Sequence, residues 1–142
     1  MKKLILLVED NPDDVVLARR ALKQIEIEND VIVARDGVEA LDFLASQGKF
    51  EGRGLRDIPH LILLDIKLPK INGFEVLRSL RSNPETRYVP VVVLTSSTEE
   101  KDIAESYDLG ANSFVQKPVD FDAFIEETRQ LSIYWLAINQ TV

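Results

Sequence analysis

The sequence contains no cysteine and a single histidine, His60. Disulfide bonds and thiolate metal sites are therefore excluded, and one imidazole is too few for a histidine metal cluster. Long apolar runs are also lacking, since a membrane-spanning helix needs about 20 apolar residues in succession. The apolar start of the chain ends at Glu9 and Asp10 without a signal-peptide cleavage site, so we expect a cytoplasmic protein.

Basic residues are few relative to acidic ones. The chain has 17 Lys and Arg against 24 Asp and Glu, a net charge of -7. Nucleic acids and anionic membranes bind concentrated positive charge, so we expect neither as a partner. The acid excess favours a cation site or a basic protein partner. A chain of 142 residues with 45% hydrophobic content forms one domain with a real core and has no room for a second.

Four consecutive apolar residues at positions 61–64 come directly before Asp65. This run is too short for a typical helix and is soon stopped by Pro69, which predicts a strand buried on both faces, as in parallel sheets. Asp65 then lies at the carboxyl end of a strand, where open α/β sheets collect their chemistry. Taken alone, it is explained equally well as a turn residue.

Strand and helix patterns alternate along the whole chain. We predict strands at residues 4–8, 31–34, 61–64, 90–94 and 113–116. The helix start signals are Asn11 with Pro12, Asp36 with Glu39, Asn72 with Gly73, Ser97 with Glu100, and Asp120. Five βα units without an internal repeat imply one parallel sheet with right-handed crossovers and helices on both faces. Residues 47–59 carry three glycines and mixed charges, which predicts an exposed loop.

Helical spacing predicts which side chains face the core. These are Val15, Ala18, Leu22 and Ile25 in the first helix, Leu41, Leu44 and Ala45 in the second, Phe74, Leu77 and Leu80 in the third, and Ile103, Ala104 and Tyr107 in the fourth. The last helix, residues 120–138, has more apolar residues than one core-facing stripe accommodates. We therefore expect a homodimer through the fourth helix, fifth strand and last helix. The alternative is that Trp135 and Ile138 fold back over their own core.

Polar residues follow four of the predicted strands. They are Glu9 and Asp10 after the first strand, Asp65 after the third, Thr95 after the fourth and Lys117 after the fifth. Clustered carboxylates repel one another and need a cation, and hard oxygen ligands favour Mg²⁺. The hydroxyl of Thr95 and the ammonium of Lys117 would cradle phosphoryl oxygens, which makes Asp65 a candidate nucleophile. Each residue alone is usually ordinary structure, and their convergence on one sheet edge carries the hypothesis.

At these residues the chain resembles the receiver domain of two-component response regulators. The matching motifs are Val8-Glu9-Asp10-Asn11, Leu63-Leu64-Asp65 with Leu68-Pro69 and Gly73, Leu94-Thr95-Ser96, and Lys117-Pro118. The resemblance implies a flavodoxin-like (βα)5 fold of strand order 2-1-3-4-5. It also implies a single receiver domain over residues 1–142 without an output domain, which signals through a downstream protein of unknown identity.

The resemblance further implies a role for each site residue. Asp65 would accept a phosphoryl group from a histidine kinase in a phosphorelay, and Thr95 and Lys117 would bind the phosphoryl oxygens. The carboxylates of Glu9, Asp10 and Asp65 and the backbone carbonyl of Lys67 would hold Mg²⁺. Thr95 and Phe114 would act as the conformational switch, although ordinary core packing also explains Phe114. The Lys117–Pro118 bond is expected to be cis.

Two positions depart from the commonest receiver pattern. Lys67 stands where a small polar residue is frequent, so its ammonium is expected to lean over the site, and Ser97 is small and uncharged. Within the family, the chain resembles the small regulators paired with bacterial phytochrome-type kinases. The shared features are the insert at residues 47–59, the segment at residues 90–95, and the ending Tyr134-Trp135-Leu136.

Two alternatives from other classes remain. A haloacid-dehalogenase-type phosphatase also has a nucleophilic Asp after a strand, but it has a second Asp two residues later as general acid. Lys67 occupies that position here, so we expect no enzymatic turnover of an external substrate. A phosphate-independent interaction module would need none of the five site residues.

Overall fold

The computed structural model describes residues 2–50 and 58–140, in which strands and helices alternate. The strands are β1 (Lys3–Val8), β2 (Asn29–Ala34), β3 (Leu61–Leu64), β4 (Val91–Thr95) and β5 (Ser113–Gln116). The α-helices are α1 (Pro12–Gln24), α2 (Gly37–Ala45), α3 (Gly73–Ser82), α4 (Glu100–Asp108) and α5 (Phe121–Ile133). All strand pairs are parallel, in the order β2-β1-β3-β4-β5, which confirms the predicted flavodoxin-like fold.

The sheet is covered on both faces, and alternate strand residues serve two separate cores. One core packs α1 and α5 against residues such as Leu7 and Leu63. The other packs α2 and α3 against residues such as Leu6 and Ile62. All four residues of β3 are therefore buried, as the run of apolar residues predicted.

Polar side chains begin four of the helices where the sequence predicted them. Asn11 Oδ1 accepts the Asp13 N–H at 2.9 Å, and Pro12 occupies the first helical position of α1. The side chains of Asp36, Asn72 and Asp120 accept backbone N–H groups in the same way at the starts of α2, α3 and α5. These caps satisfy N–H groups that have no partner inside a helix.

The predicted buried faces of two helices are wrong in part. In α2 the buried side chains are Ala40 and Phe43, whereas Leu41 and Leu44 are half-buried and Ala45 is exposed. Phe43 is fully buried in the α2 and α3 core, and its ring forms an edge-to-face pair with Phe50 of the short 3-10 turn Gly48–Phe50, with centroids 5.1 Å apart. Of the predicted loop at 47–59, residues 51–57 lie outside the described part of the chain.

In α4 the apolar residues do not face the core. Asp102 and Ser106 are the buried residues of α4, while Ile103 is half-buried and Ala104 and Tyr107 are exposed. Ser97 is not the predicted cap: Glu99 precedes the helix without a side-chain cap, and the Ser97 hydroxyl donates to Asp102 instead. The buried face of α4 is thus determined by the polar contacts of Asp102 and not by the spacing of its apolar residues.

The chain continues from α5 into a π-helical turn at Tyr134–Ile138. Leu136 is buried and Trp135 packs half-buried against the α1 and α5 core, whereas Tyr134 and Ile138 are exposed. Trp135 therefore folds back over its own domain, as one of the two alternatives had it, and Ile138 does not.

The prediction of a cis bond before Pro118 is wrong, because no cis peptide bond occurs among residues 2–50 and 58–140. The trans form of an X–Pro bond is favoured by about 0.5–1 kcal/mol, and the surrounding structure does not overcome that preference here. None of the helices in the described ranges has the length and apolarity that crossing a bilayer demands.

Gly73 lets α3 pack directly against the segment that follows β3. A Cβ at this position would lie 2.6 Å from the carbonyl oxygen of Asp65 and 2.5 Å from Cα of Ile66. Both are backbone atoms that cannot rotate away, so the close approach requires a residue without a side chain. Gly73 therefore helps to fix the position of Asp65.

We predict that Gly73→Ala lowers the free energy of unfolding by about 1–3 kcal/mol, because the new methyl group must displace backbone. Urea denaturation measures the change. Ser79→Ala, at an exposed position of the same helix, is the matched control and should stay within about 0.5 kcal/mol of wild type. Equal stability of Gly73→Ala and wild type would contradict the argument from close approach.

Candidate functional site

The carboxyl ends of four adjacent strands bring the predicted site residues to one edge of the sheet. Glu9 and Asp10 follow β1, and the Asp65 N–H donates to the Val8 carbonyl across the neighbouring strand at 3.0 Å. Further along the edge, the Lys117 N–H donates to the Thr95 carbonyl at 2.7 Å. Strand pairing alone therefore aligns these residues.

Three carboxylates at this edge could hold a metal ion. Oxygen atoms of Glu9, Asp10 and Asp65 all lie within 4.8 Å of one another. Glu9 and Asp65 are buried, while Asp10 is exposed and leaves the cluster open to solvent. An all-oxygen, negatively charged donor set of this kind fits a hard divalent cation. The residues present therefore fit the predicted metal.

Lys117 is surrounded by carboxylates. Its Nζ lies 2.6 Å from Glu9 Oε1, 2.9 Å from Asp65 Oδ2 and 2.8 Å from Asp14 Oδ2. Its side chain is only 9% exposed, so water screens these contacts weakly. The single ammonium faces four carboxylates when Asp10 is included, and one positive charge cannot neutralise them.

Asp14 is a site residue that the sequence did not reveal. It lies in the first turn of α1 beside Asp13, where acidic residues are favoured by the helix dipole alone. The contact with Lys117 joins residues 103 positions apart in the chain. Only the contact with the Lys117 side chain identifies Asp14, because its local sequence is ordinary for a helix start.

The crowding of like charges changes the acidity of the site. Burial raises the pKa of the Glu9 carboxyl from 4.5 to about 7, and Asp65 adds to this rise while the hydrogen bond to Lys117 opposes it. Burial disfavours the charged form of Lys117, but Asp14, Glu9 and Asp65 together raise its pKa above the usual 10.5. The site therefore holds a permanent ammonium and attracts a further cation.

Asp65 is held by backbone and side-chain donors at once. The Lys67 N–H donates to Asp65 Oδ1 at 2.9 Å, and Lys117 occupies Oδ2. The Lys67 ammonium does not lean over the site as expected. It lies 3.1 Å from Asp102 of α4 instead, because that buried carboxylate attracts it.

Thr95 and Phe114 lie on neighbouring strands. Thr95 is fully buried, and its hydroxyl oxygen accepts the Ser97 N–H at 3.4 Å. Phe114 is paired in register with Val93 of β4 and is half-buried against the α2 and α3 core. Its backbone N–H donates to the Tyr107 hydroxyl of α4 at 3.1 Å. Phe114 thus lies between β4 and α4 in the fold.

A family model described as the response regulator receiver domain matches residues 5–129. Among curated proteins, response regulator Rcp1 of Synechocystis sp. is 40% identical over 134 residues, which covers 94% of this chain and 89% of that protein. The match therefore extends over the whole site and almost the whole fold.

Two solved structures of similar proteins also match. The phosphorylated cyanobacterial phytochrome response regulator RcpA has a TM-score of 0.92 at 36% identity and covers 99% of both chains. The Mn²⁺-bound form of response regulator Rcp1 has a TM-score of 0.90 at 38% identity, again over 99% of both chains.

We predict that Lys117→Ala strengthens Mg²⁺ binding, because a competing cation is removed from the carboxylates. The same change should destabilise the metal-free protein by about 3–5 kcal/mol, since buried carboxylates lose their counter-charge. Calorimetric titration with Mg²⁺ and urea denaturation in EDTA measure the two effects. Lys2→Ala, which removes an exposed ion pair with Asp30, is the control. Weaker Mg²⁺ binding in Lys117→Ala would contradict the competition.

Proposed function

Because the chain belongs to the response regulator receiver domain family, we propose that Asp65 accepts a phosphoryl group from a histidine kinase. The observation that carries this proposal is the pairing of Asp65 with Lys117, whose Nζ lies 2.9 Å from Asp65 Oδ2. The pair is buried, lies at the carboxyl edge of the sheet and borders the three-carboxylate cluster. A nucleophile, a fixed positive charge and candidate metal ligands are thus side by side.

The proposed reaction uses Asp65 as the nucleophile. A carboxylate oxygen attacks the phosphorus of the kinase's phosphohistidine, and the P–O bond forms as the P–N bond breaks. The released imidazole takes up a proton from water. Lys117 already lies within hydrogen-bond distance of Asp65 and donates to the phosphoryl oxygens there, with the Thr95 hydroxyl as a second donor.

We propose Mg²⁺ as the metal, held by Glu9, Asp10, Asp65 and the backbone carbonyl of Lys67. When bound, it supplies positive charge that reduces the repulsion between the carboxylate nucleophile and the phosphoryl oxygens. Burial raises the pKa of Glu9, so this carboxyl would have to give up any remaining proton to hold the metal. The Mn²⁺-bound structure of the similar Rcp1 supports a divalent cation of this kind.

A phosphatase acting on ordinary phosphate esters is less well supported. Such an enzyme needs a general acid near the nucleophile to protonate a poor leaving group. The residue two positions after Asp65 is Lys67, and its ammonium is paired with Asp102 rather than directed at Asp65. A phosphohistidine donor requires no such acid, because its leaving group is already good.

We propose that Thr95 and Phe114 convert phosphorylation into a change of shape. Thr95 exchanges its contact with the Ser97 N–H for one with the phosphoryl group. Movement of Thr95 opens space beside β4 into which the half-exposed ring of Phe114 turns. The rearranged surface of β5 and its neighbours is then available to a downstream protein.

The partner that supplies the phosphoryl group is proposed to be a phytochrome-type histidine kinase in the cytoplasm. The similarity to the phytochrome response regulator RcpA over 99% of both chains supports this choice. The net charge of -7 argues against nucleic acid or an anionic membrane as the target, so the output is proposed to be a protein contact.

We predict that acetyl phosphate and Mg²⁺ add one phosphoryl group to the wild-type protein and none to Asp65→Asn. Intact-protein mass spectrometry measures the addition, with an EDTA sample to test the need for the metal. Asp30→Asn, an exposed aspartate at the opposite edge of the sheet, is the matched control and should be labelled like wild type. Labelling of Asp65→Asn at the wild-type level would refute Asp65 as acceptor.

We further propose that the protein forms a homodimer through α4, β5 and α5. Tyr107 on α4 and Phe121 on α5 are exposed, and Val119 between β5 and α5 is 97% exposed. Exposed apolar side chains grouped on one side of a molecule are typical of an interface. Two-fold homodimers are the commonest symmetric assembly.

Light scattering at tens of micromolar protein, an order of concentration that occupies a standard-sized interface, tests the dimer. Wild type should scatter as a dimer, and Phe121→Ser should shift it towards monomer. Val16→Ser, at an exposed apolar position on α1, is the control. Trp135→Ala is unsuitable because Trp135 packs on its own core. A monomeric wild type, with and without a phosphoryl mimic, would show the dimer proposal to be wrong.

A further inference from the structure

Helix α4 is attached to the domain differently from its neighbours. Helices α1, α3 and α5 each bury several apolar side chains against the sheet. In α4, all of which the structure describes, the buried residues are Asp102 and Ser106. The Ser106 hydroxyl is used within the helix, where it donates to the Asp102 carbonyl at 2.7 Å. The position of α4 therefore depends strongly on the carboxylate of Asp102.

Asp102 joins two loops that lie beside the acceptor site. Its carboxylate is 5% exposed, accepts the Ser97 hydroxyl of the β4–α4 loop and lies 3.1 Å from Lys67 Nζ of the β3–α3 loop. The hydrogen bond from Ser97 lowers the pKa of Asp102, and Lys67 adds to this effect while burial opposes it. We call Asp102, Ser97 and Lys67 the α4 latch.

Both partners of Asp102 also touch the acceptor site through their main chains. The Lys67 N–H donates to Asp65 Oδ1 at 2.9 Å, and the Ser97 N–H donates to Thr95 Oγ1 at 3.4 Å. Lys67 and Ser97 thus each contact the site through the backbone and Asp102 of α4 through the side chain. A rearrangement at Asp65 therefore acts on the α4 latch through Lys67, and a rearrangement at Thr95 acts on it through Ser97.

We propose that Asp102 is a positioning residue that holds α4 in place through the α4 latch, and that a phosphoryl group on Asp65 draws Lys67 away and releases the helix. This inference rests on the function proposed above. A phosphoryl group replaces the single negative charge of the Asp65 carboxylate with about two, next to the backbone of Lys67, and so draws the Lys67 ammonium towards Asp65 and away from Asp102. The Lys67 side chain is 52% exposed and free to swing.

Hydrogen exchange of the α4 amides tests the latch without any phosphoryl donor. In metal-free protein, Lys67→Met and Asp102→Asn should each speed exchange across Glu100–Asp108 by about fivefold, which corresponds to roughly 1 kcal/mol. Lys101→Met is the matched control, because Lys101 is on the same helix and pairs at the surface with Glu99. Wild-type exchange rates in both variants would overturn the latch.

The effect of the phosphoryl group is tested with beryllium fluoride and Mg²⁺. In wild type and Lys101→Met, the mimic should speed α4 exchange, whereas in Lys67→Met the exchange is already fast and should change little. An equal response of wild type and Lys67→Met would show that Lys67 is not the link. Mass spectrometry of Asp65 phosphorylation is run in parallel. A wild type that takes up no phosphoryl group refutes the proposed function, while labelling at Asp65 with unresponsive α4 amides refutes only the latch.

Discussion

The site depends on one electrostatic constraint: the ammonium of Lys117 contacts three carboxylates, those of Glu9, Asp14 and Asp65, and the carboxylate of Asp10 lies beside two of them. Carboxylates this close repel, and burial deprives them of the water that would otherwise stabilise their charges. Burial, with a smaller contribution from the charge of Asp65, raises the pKa of Glu9. The surrounding strands hold the carboxylates together at a cost in electrostatic energy, and a bound cation would reduce that cost.

Asp65 and helix α4 are held in the fold by different kinds of contact. Asp65 follows a strand buried on both faces, and Gly73 lets α3 pack against the segment behind it. The position of Asp65 is therefore fixed by extensive apolar packing. Helix α4, in contrast, is positioned by polar contacts of Asp102. Local opening of a protein follows such differences, because regions with few buried apolar contacts have low local stability.

The sequence was sufficient where a local pattern determines the structure. Continuous apolar runs identified the buried strands, and Asn11, Asp36 and Asp120 marked helix starts, since a cap needs only its own helix. The carboxyl ends of the strands in a parallel sheet meet at one edge, so the sequence alone was enough to place Asp65 near Lys117.

The features that the sequence did not reveal arise from contacts between distant elements. Asp14 resembles any acidic residue in a first helical turn, and only the fold brings it to the side chain of Lys117, 103 positions away in the chain. The apolar periodicity of α4 placed Ile103 on the side of the helix that faces the core, because the method assumes that helices bury their apolar faces. In α4 the buried side chain is instead the charged Asp102, whose partners Ser97 and Lys67 lie in two loops outside the helix. The Lys117–Pro118 bond keeps the trans form that an X–Pro bond intrinsically favours, so the expected cis bond would have required the surroundings to overcome that preference.

Trp135 is the one tryptophan of the chain. It borders a surface cleft with Lys3, His60 and Pro90, which lie at the amino ends of the strands, whereas Asp65 and Lys117 lie at the carboxyl ends. Its indole fluorescence therefore observes the end of the sheet opposite to the chemistry. Emission from this ring is therefore expected to report global unfolding and the docking of the last turn, at a distance from Asp65. The protein thus contains an intrinsic probe of its folding at the end of the sheet opposite to Asp65.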